Sequence, residues 1–164
     1  MRTARLAAVA ALLVLPIVAQ AQSATINATA TVVTALTVTG NAPLDFGNVY
    51  QGVNKTVAHA DAASGRMSVA GFGTAQVALT FTLPTALTSG ANSLPIDSWD
   101  VARNATNVTA GATPMVVTSG TPVNANLAAG NLYLFIGGRV QPAALLAAGS
   151  YSGTITLAAA YTGL

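Results

Sequence analysis

Hydrophobic and polar residues alternate with a period of two along much of the chain. Such alternation is typical of a β-strand with one buried face. The pattern is strict over residues 25–32, slips at Val33 and resumes at Leu36, which predicts a bulge or bend between the two stretches. The apolar positions of the first stretch are Ile26, Ala28, Ala30 and Val32.

The clearest central strand is predicted over residues 76–83, where alternate apolar side chains share one face. An apolar strand over 132–136 is expected to stop at Gly137-Gly138, and residues 142–148 are the one run that permits a short helix. Short strands separated by turn signals, without crossover helices, predict an antiparallel sandwich or barrel. The other predicted strands cover residues 36–39, 44–47, 56–59, 67–69, 94–101, 115–118 and 151–161.

The last predicted strand has a continuous apolar face, and little chain follows it to pair with its outer edge. An uncovered strand edge is a template for another strand. Tyr151 and Tyr161 stand at the two ends of this face, and we predict that they help to form a partner-binding edge. The alternative is that Tyr161 is a core aromatic on an internal strand.

The start of the chain has the three parts of a secretory signal peptide in order. A positively charged start precedes an apolar run over residues 6–18, and Ala19-Gln20-Ala21 supplies the small residues for cleavage after Ala21. The apolar run is shorter than the roughly 20 residues that a membrane-spanning helix needs. We therefore expect a signal peptide over 1–21 and a single secreted domain over 22–164, with no transmembrane span in the mature chain.

Charged residues are scarce: they make up 6% of the 164 residues, against about 25% in a typical soluble domain. Cleavage of the signal peptide would remove two of the six positive residues and leave four against four acidic ones. This balance excludes a surface that neutralises nucleic acid. The absence of cysteine excludes a disulfide framework and a thiolate metal site.

Catalytic chemistry has few candidates. His59 is the only histidine, and Asp97 and Asp100 flank Trp99 at a spacing that suits neither one face of a regular strand nor a helix. A pair of carboxylates beside an aromatic ring could serve a sugar cleft, but a polar turn beside a buried tryptophan is the favoured interpretation. We therefore expect no enzyme activity, no cofactor and no metal site.

Several short patterns together resemble secreted bacterial pilin-like domains. Thr29-Ala30-Thr31-Val32-Val33, followed by Leu44-Asp45-Phe46-Gly47-Asn48-Val49, is similar to the start of such domains. Residues 149–157, with Tyr161 after them, are similar to the last strand of chaperone–usher fimbrial subunits, and residues 132–138 also fit that pattern. The family that these patterns resemble is known only as a domain of unknown function, and it is similar in type to the spore coat protein U domain.

The resemblance implies an immunoglobulin-like β-sandwich that lacks its last strand and is completed by the N-terminal segment of a neighbouring subunit. It also implies identical or related subunits and a periplasmic chaperone as partners. Two arrangements remain open. Either Ile26, Ala28, Ala30 and Val32 form the face of such a donor strand, with the domain beginning near Leu36, or they belong to the first strand of their own sheet.

The function predicted on these grounds is that of a non-catalytic structural subunit, of the fimbrial type or in a surface coat, in the periplasm or on the bacterial cell surface. Assembly would proceed through β-strand edges. The alternative is a monomeric extracellular adhesion or carbohydrate-binding module. In that case Tyr50, Trp99 or Tyr133 would stack against a glycan.

Overall fold

The computed structural model describes residues 22–163, so the predicted signal peptide over 1–21 lies outside the described residues. The chain divides between Thr31 and Val32 into two units, which are described separately. In the first unit, residues 22–31 are exposed and form no strand. The half-buried strand expected over 25–32 is therefore wrong as a description of the single chain, because no strand among the described residues pairs with it.

The second unit consists of antiparallel strands, and no helix occurs within residues 22–163. The described residues therefore contain no helix that is long and apolar enough to cross a membrane. The helix that residues 142–148 permit is not formed. The strands are β1 (Thr37–Ala42), β2 (Lys55–Val57), β3 (Gly65–Ala70), β4 (Gln76–Thr82), β5 (Ala86–Ser89), β6 (Asn92–Asn104), β7 (Thr113–Met115), β8 (Pro122–Asn126), β9 (Asn131–Val140) and β10 (Thr156–Gly163).

These strands form two antiparallel sheets in a sandwich-like arrangement, which confirms the predicted all-β fold class. The larger sheet has the order β1-β3-β9-β6-β5, with β2 paired to β9 and β7 paired to β6. The smaller sheet has the order β10-β4-β8. Burial of apolar side chains from both sheets is the dominant favourable contribution to such a fold. The largest fully buried side chains of the shared core include Val77, Leu79 and Phe81 from β4, and Val69, Leu134 and Ile136 from the larger sheet.

Some predicted strands differ from the observed ones. Residues 44–47 form no strand; instead the Asp45 N–H donates to the Ala63 carbonyl at 3.0 Å, and Phe46 is buried in a second, smaller apolar cluster. Only Met115 of the strand predicted over 115–118 lies in β7. The pattern gave no prediction of β5 or β8, because β8 begins with proline and contains two asparagines, and β5 is only four residues long.

Strand β9 continues through Gly137-Gly138, where the sequence pattern had predicted its end. Strands β2 and β3 pair with consecutive stretches of the same edge of β9: Val57 lies opposite Gly138, and Gly65 lies opposite Ile136. Residues 58–64, called the excursion below, leave the sheet between these two strands. Gly137 continues the ladder because its missing side chain makes room for the backbone of residues 57–59.

Strand β6 contains a β-bulge between Asp97 and Asp100, at which Ser98 adopts a positive φ of 50°. Asp97 lies opposite Arg139 and Asp100 lies opposite Gly137, so both carboxylates are on the sheet face that is turned away from the sandwich core. The prediction that their spacing keeps them off a common strand face is therefore wrong. The extra residue of the bulge restores the alternation, and Trp99 faces the core instead.

Candidate functional site

The outer edge of β10 is the first feature of the candidate site. One side of β10 pairs with β4 over Thr156 to Gly163, and the other side pairs with no strand among residues 22–163. Strand β1, at the border of the larger sheet, lies close to β10 across the sandwich. The space between β1 and β10 is called the open edge below.

Over Thr156 to Tyr161, the open edge lacks the features that usually protect a strand from pairing with another chain. Such protection comes from charges, proline, a β-bulge or a very short strand, and the one register shift of β10 lies beyond this stretch, between Tyr161 and Gly163. Strand β8, at the opposite border of the smaller sheet, has five residues and begins with Pro122. Strand β10 has eight residues and contains neither proline nor a charged side chain. Of the two borders of this sheet, the β10 border is therefore the one suited to strand addition.

Core-facing side chains remain uncovered along the open edge. Val38 of β1 lies opposite Val69 of β3, so the two share the core face of the sheet, yet Val69 is fully buried and Val38 is 40% exposed. Every residue of β1 is exposed, and Ile155 and Ala159 on the β10 side are only partly buried. The two sheets therefore leave part of the hydrophobic core accessible between β1 and β10.

A groove of about 410 Å³ opens where β1 ends and β10 begins. Pro43 and Leu44 form one wall, and residues 153–155 form the other. The rest of the lining is mostly apolar and includes Met67, Trp99 and Ile136, together with Arg66. This volume falls within the range of pockets that hold a small ligand or a few side chains, and its lining suits apolar groups.

Tyr161 closes the other end of the open edge. Its hydroxyl accepts a hydrogen bond from the Phe72 N–H at 2.6 Å and donates one to the Thr34 carbonyl at 2.7 Å. The ring is half-buried against the core, and Gly71 leaves the room that the hydroxyl needs. Tyr161 is thus a core-packed aromatic on an edge strand, and its hydroxyl serves contacts within the chain.

The predicted site residues are not gathered at one point. Tyr151 packs against the second apolar cluster, and its hydroxyl donates to the Ala147 carbonyl at 2.7 Å. It lines the groove at the end of the open edge away from Tyr161. All four apolar positions of the N-terminal stretch are exposed and lie outside any strand: Ile26, Ala28, Ala30 and Val32.

Sequence reasoning did not identify the residues that border the open edge or line its groove. Val38, Met67 and Ile136 follow the ordinary pattern of core positions, and nothing in that pattern says which core positions remain uncovered. The one available signal was the long uncharged β10, whose outer edge the pattern did indicate as free.

The acidic residues form two polar clusters on the outer face of the larger sheet. The Asp100 carboxylate accepts a hydrogen bond from the His59 N–H at 2.9 Å and contacts the His59 Nδ1 at 2.9 Å. Asp97 accepts a bidentate pair from Arg139, with Nε–Oδ1 at 3.0 Å and Nη2–Oδ2 at 2.9 Å, and a third hydrogen bond from Gln141. The His59–Asp100 contact attaches the excursion to β6.

Both carboxylates are held in the ionised form. Hydrogen bonds from Arg139 and then from Gln141 lower the pKa of Asp97 to about 2. Burial acts to raise the pKa of Asp100, but the hydrogen bonds from His59 outweigh it and leave this pKa below its ordinary value. A glycosidase pair needs one carboxyl whose pKa is raised so that it can donate a proton. Asp97 forms an ion pair with Arg139, and Asp100 forms hydrogen bonds with His59. No group of three His, Cys, Asp or Glu side chains suited to a metal ion occurs in the part of the chain described.

The depressed pKa of Asp97 leads to a test at acid pH. A carboxyl whose folded-state pKa lies below its unfolded value of about 4 stabilises the fold above that value and loses this contribution as the pH falls towards 2. We expect Arg139→Gln to raise the pKa of Asp97. The variant should then lose less stability than the wild type as the pH falls from about 4 to about 2. Carboxyl titration by NMR and urea unfolding across the same range measure both effects.

Arg103→Gln is the control for this test, because Arg103 forms no ion pair within residues 22–163. This variant should retain the low Asp97 pKa. An Asp97 pKa unchanged by Arg139→Gln would show that the guanidinium is not its cause.

The three aromatic residues considered for glycan stacking are not equivalent. Trp99 faces the core, with its ring against Gly138, and Tyr133 is half-buried. Tyr50 is 73% exposed, on a turn after Phe46. Only Tyr50 among the three therefore offers an open ring face.

Neither a scan against models of protein families nor a search of curated proteins finds a match to this chain.

Proposed function

We propose that this protein is an exported, non-catalytic structural subunit that assembles by β-strand addition at the open edge. In this proposal the domain is an immunoglobulin-like, pilin-type sandwich that lacks one strand. Residues 25–32 of a second copy supply that strand. The observation that carries the proposal is the uncovered core between β1 and β10, in a chain whose N-terminal stretch has a strand pattern and no partner strand within the described residues.

The stretch and the open edge match in length and chemistry. Residues 25–32 are eight residues long, as is β10. Placed beside β10, the stretch would turn its apolar residues towards the exposed core and its Thr and Asn residues towards solvent. Its backbone would satisfy the free N–H and C=O groups of β10, which is the source of affinity in strand addition.

The low charge of the chain supports the same conclusion. Surface charges normally keep soluble domains apart, and only 6% of this sequence is charged. The open edge itself carries no charge on β1 or β10. In the proposal, a periplasmic chaperone covers this edge before assembly, since an uncovered apolar edge promotes aggregation.

Cross-linking through introduced cysteines tests the proposal. The chain has no cysteine, so a double variant Thr29→Cys/Ala158→Cys contains one possible pair. Both positions are exposed and lie on the solvent side of the proposed strand pair. We expect oxidation to give a ladder of covalent multimers on a non-reducing gel, because neighbouring strands bring such side chains within disulfide distance.

The matched control is Thr29→Cys/Thr106→Cys, which places the second cysteine on the exposed turn after β6, a strand that β3 and β9 separate from β1. It should remain monomeric under the same conditions. A cross-linked monomer from Thr29→Cys/Ala158→Cys would show that the stretch folds back on its own domain. A lack of any cross-link would contradict strand addition at β10 altogether.

A further inference from the structure

The N-terminal stretch joins the domain at a defined end of the open edge. The Thr34 carbonyl accepts the hydrogen bond from Tyr161, near the last residues of β10. The chain that precedes Thr34 therefore leaves the domain at the end where β10 finishes, which is called the exit end below. Phe72, whose N–H is bound by the same tyrosine, is 42% exposed there.

The opposite end carries an exposed apolar patch on two joined loops. The Gly52 N–H donates to the Pro142 carbonyl at 3.2 Å, and the Gln51 side chain donates to the Leu146 carbonyl. These loops present three large apolar side chains to solvent: Tyr50 at 73%, Val53 at 57% and Leu145 at 94% exposure. Single exposed apolar residues are common, but a group of them on one surface marks an interaction site.

The apolar patch lies at the end where β10 begins. Tyr50 and Tyr151 line one groove, and Tyr151 precedes β10 by only a short stretch. The patch and the exit end are thus at opposite ends of the open edge.

We propose that Tyr50, Val53 and Leu145 form the surface on which a second copy of this chain docks its exit end. This inference rests on the proposed function. In a donor copy, only residues 33–36 separate the inserted stretch from β1, and four residues span at most about 14 Å. The donor's domain must therefore lie directly against one end of the acceptor's open edge.

Two observations select the end that bears the patch. The acceptor's own N-terminal stretch already leaves from its exit end, at Thr34, so that end must stay free for the next subunit. The other end offers the exposed apolar side chains, which the donor's Phe72 end would cover. The contact joins two different surfaces and leaves one of each free, so further copies can add at both ends and build a filament, unless the rotation between subunits closes a ring.

This docking also sets the direction of the inserted strand. The last residues of the stretch must lie near the patch, beside the start of β10, so the stretch runs antiparallel to β10. Antiparallel pairing is slightly more stable per residue than parallel pairing. The cysteine pair Thr31→Cys/Thr156→Cys should then form multimers, whereas Thr31→Cys/Ala160→Cys should not.

The central pair Thr29→Cys/Ala158→Cys separates the two proposals, because it is expected to cross-link in either direction. Suppose that the central pair forms multimers and that Thr31→Cys/Ala160→Cys forms them more readily than Thr31→Cys/Thr156→Cys. The proposed function then stands, and the proposed docking end is wrong. If the central pair gives no multimers, the proposed function itself fails.

Substitution in the patch is the second test. Leu145→Asp, added to the central cysteine pair, should lower the rate of multimer formation about tenfold or more, because a buried leucine is lost from the contact. Val116→Asp is the control, since Val116 is 92% exposed but follows β7 beside the middle of β6. Equal rates for the two variants would overturn the inference.

Discussion

Replacing Ala28 by aspartate is expected to abolish assembly while the domain stays folded. In the proposed contact, Ala28 is a central residue of the inserted strand and faces the uncovered core of the acceptor. A charge placed there would lose its hydration without gaining a partner, because β1 and β10 carry no charged side chain. Burial of an unpaired carboxylate costs more than strand addition can supply.

The fold of the single chain should not change, because Ala28 is exposed and lies outside every strand. Size-exclusion chromatography and electron microscopy measure assembly, and the urea unfolding midpoint measures the fold. Thr29→Asp is the matched control: it adds the same charge one residue along, on the side that faces solvent, and should still assemble. Equal assembly by the two variants would show that the alternation of residues 25–32 does not determine the contact.

The second large effect is expected from Gly137→Ala, on stability. A Cβ on Gly137 would collide with the Val57 carbonyl oxygen and would lie 2.8 Å from the His59 nitrogen, and both of these are backbone atoms. Strand β2 and the excursion would have to move away from β9, which also strains the His59–Asp100 contact. We expect the free energy of unfolding to fall by about 1–3 kcal/mol or more, as in over-packed sites.

Gly138→Ala is the control for this substitution. Its Cβ would lie 3.4 Å from the nearest atom of the Trp99 ring, which is close to ordinary van der Waals contact with a side chain that can shift. This variant should lose less than half as much stability in urea unfolding. A Gly137→Ala protein as stable as the wild type would mean that the excursion does not need the close approach to β9.

The strands that the alternation predicted most clearly are those whose neighbours are regular. Strand β4 is confirmed, and its pairing is regular over most of its length: β8 pairs with Gln76 to Thr80, and β10 pairs without a register shift from Thr82 to Val77. The prediction of a stop at Gly137-Gly138 is wrong for a non-local reason: the glycines serve the approach of residues 57–59, which are distant in sequence. The spacing of Asp97 and Asp100 was misjudged because a bulge at Ser98 is decided by pairing with β9 and leaves no mark in the local pattern.

For the candidate site, the sequence supplied the strand pattern of Ile26, Ala28, Ala30 and Val32 and the free edge of the last strand. It could not show that Val38 stays exposed on a core face or that a groove opens over Trp99. It also could not show that Tyr161 binds Thr34. These features depend on which strands become neighbours.

Hydrophobic alternation and the scarcity of charge by themselves determined that this protein is built of β-strands. They do so because a strand's side chains point to opposite faces in turn, whatever the rest of the fold. Only the tertiary structure decided that β1 and β10 border an uncovered part of the core. Strand order is set by contacts between residues far apart in the chain, and a local pattern contains no information about them.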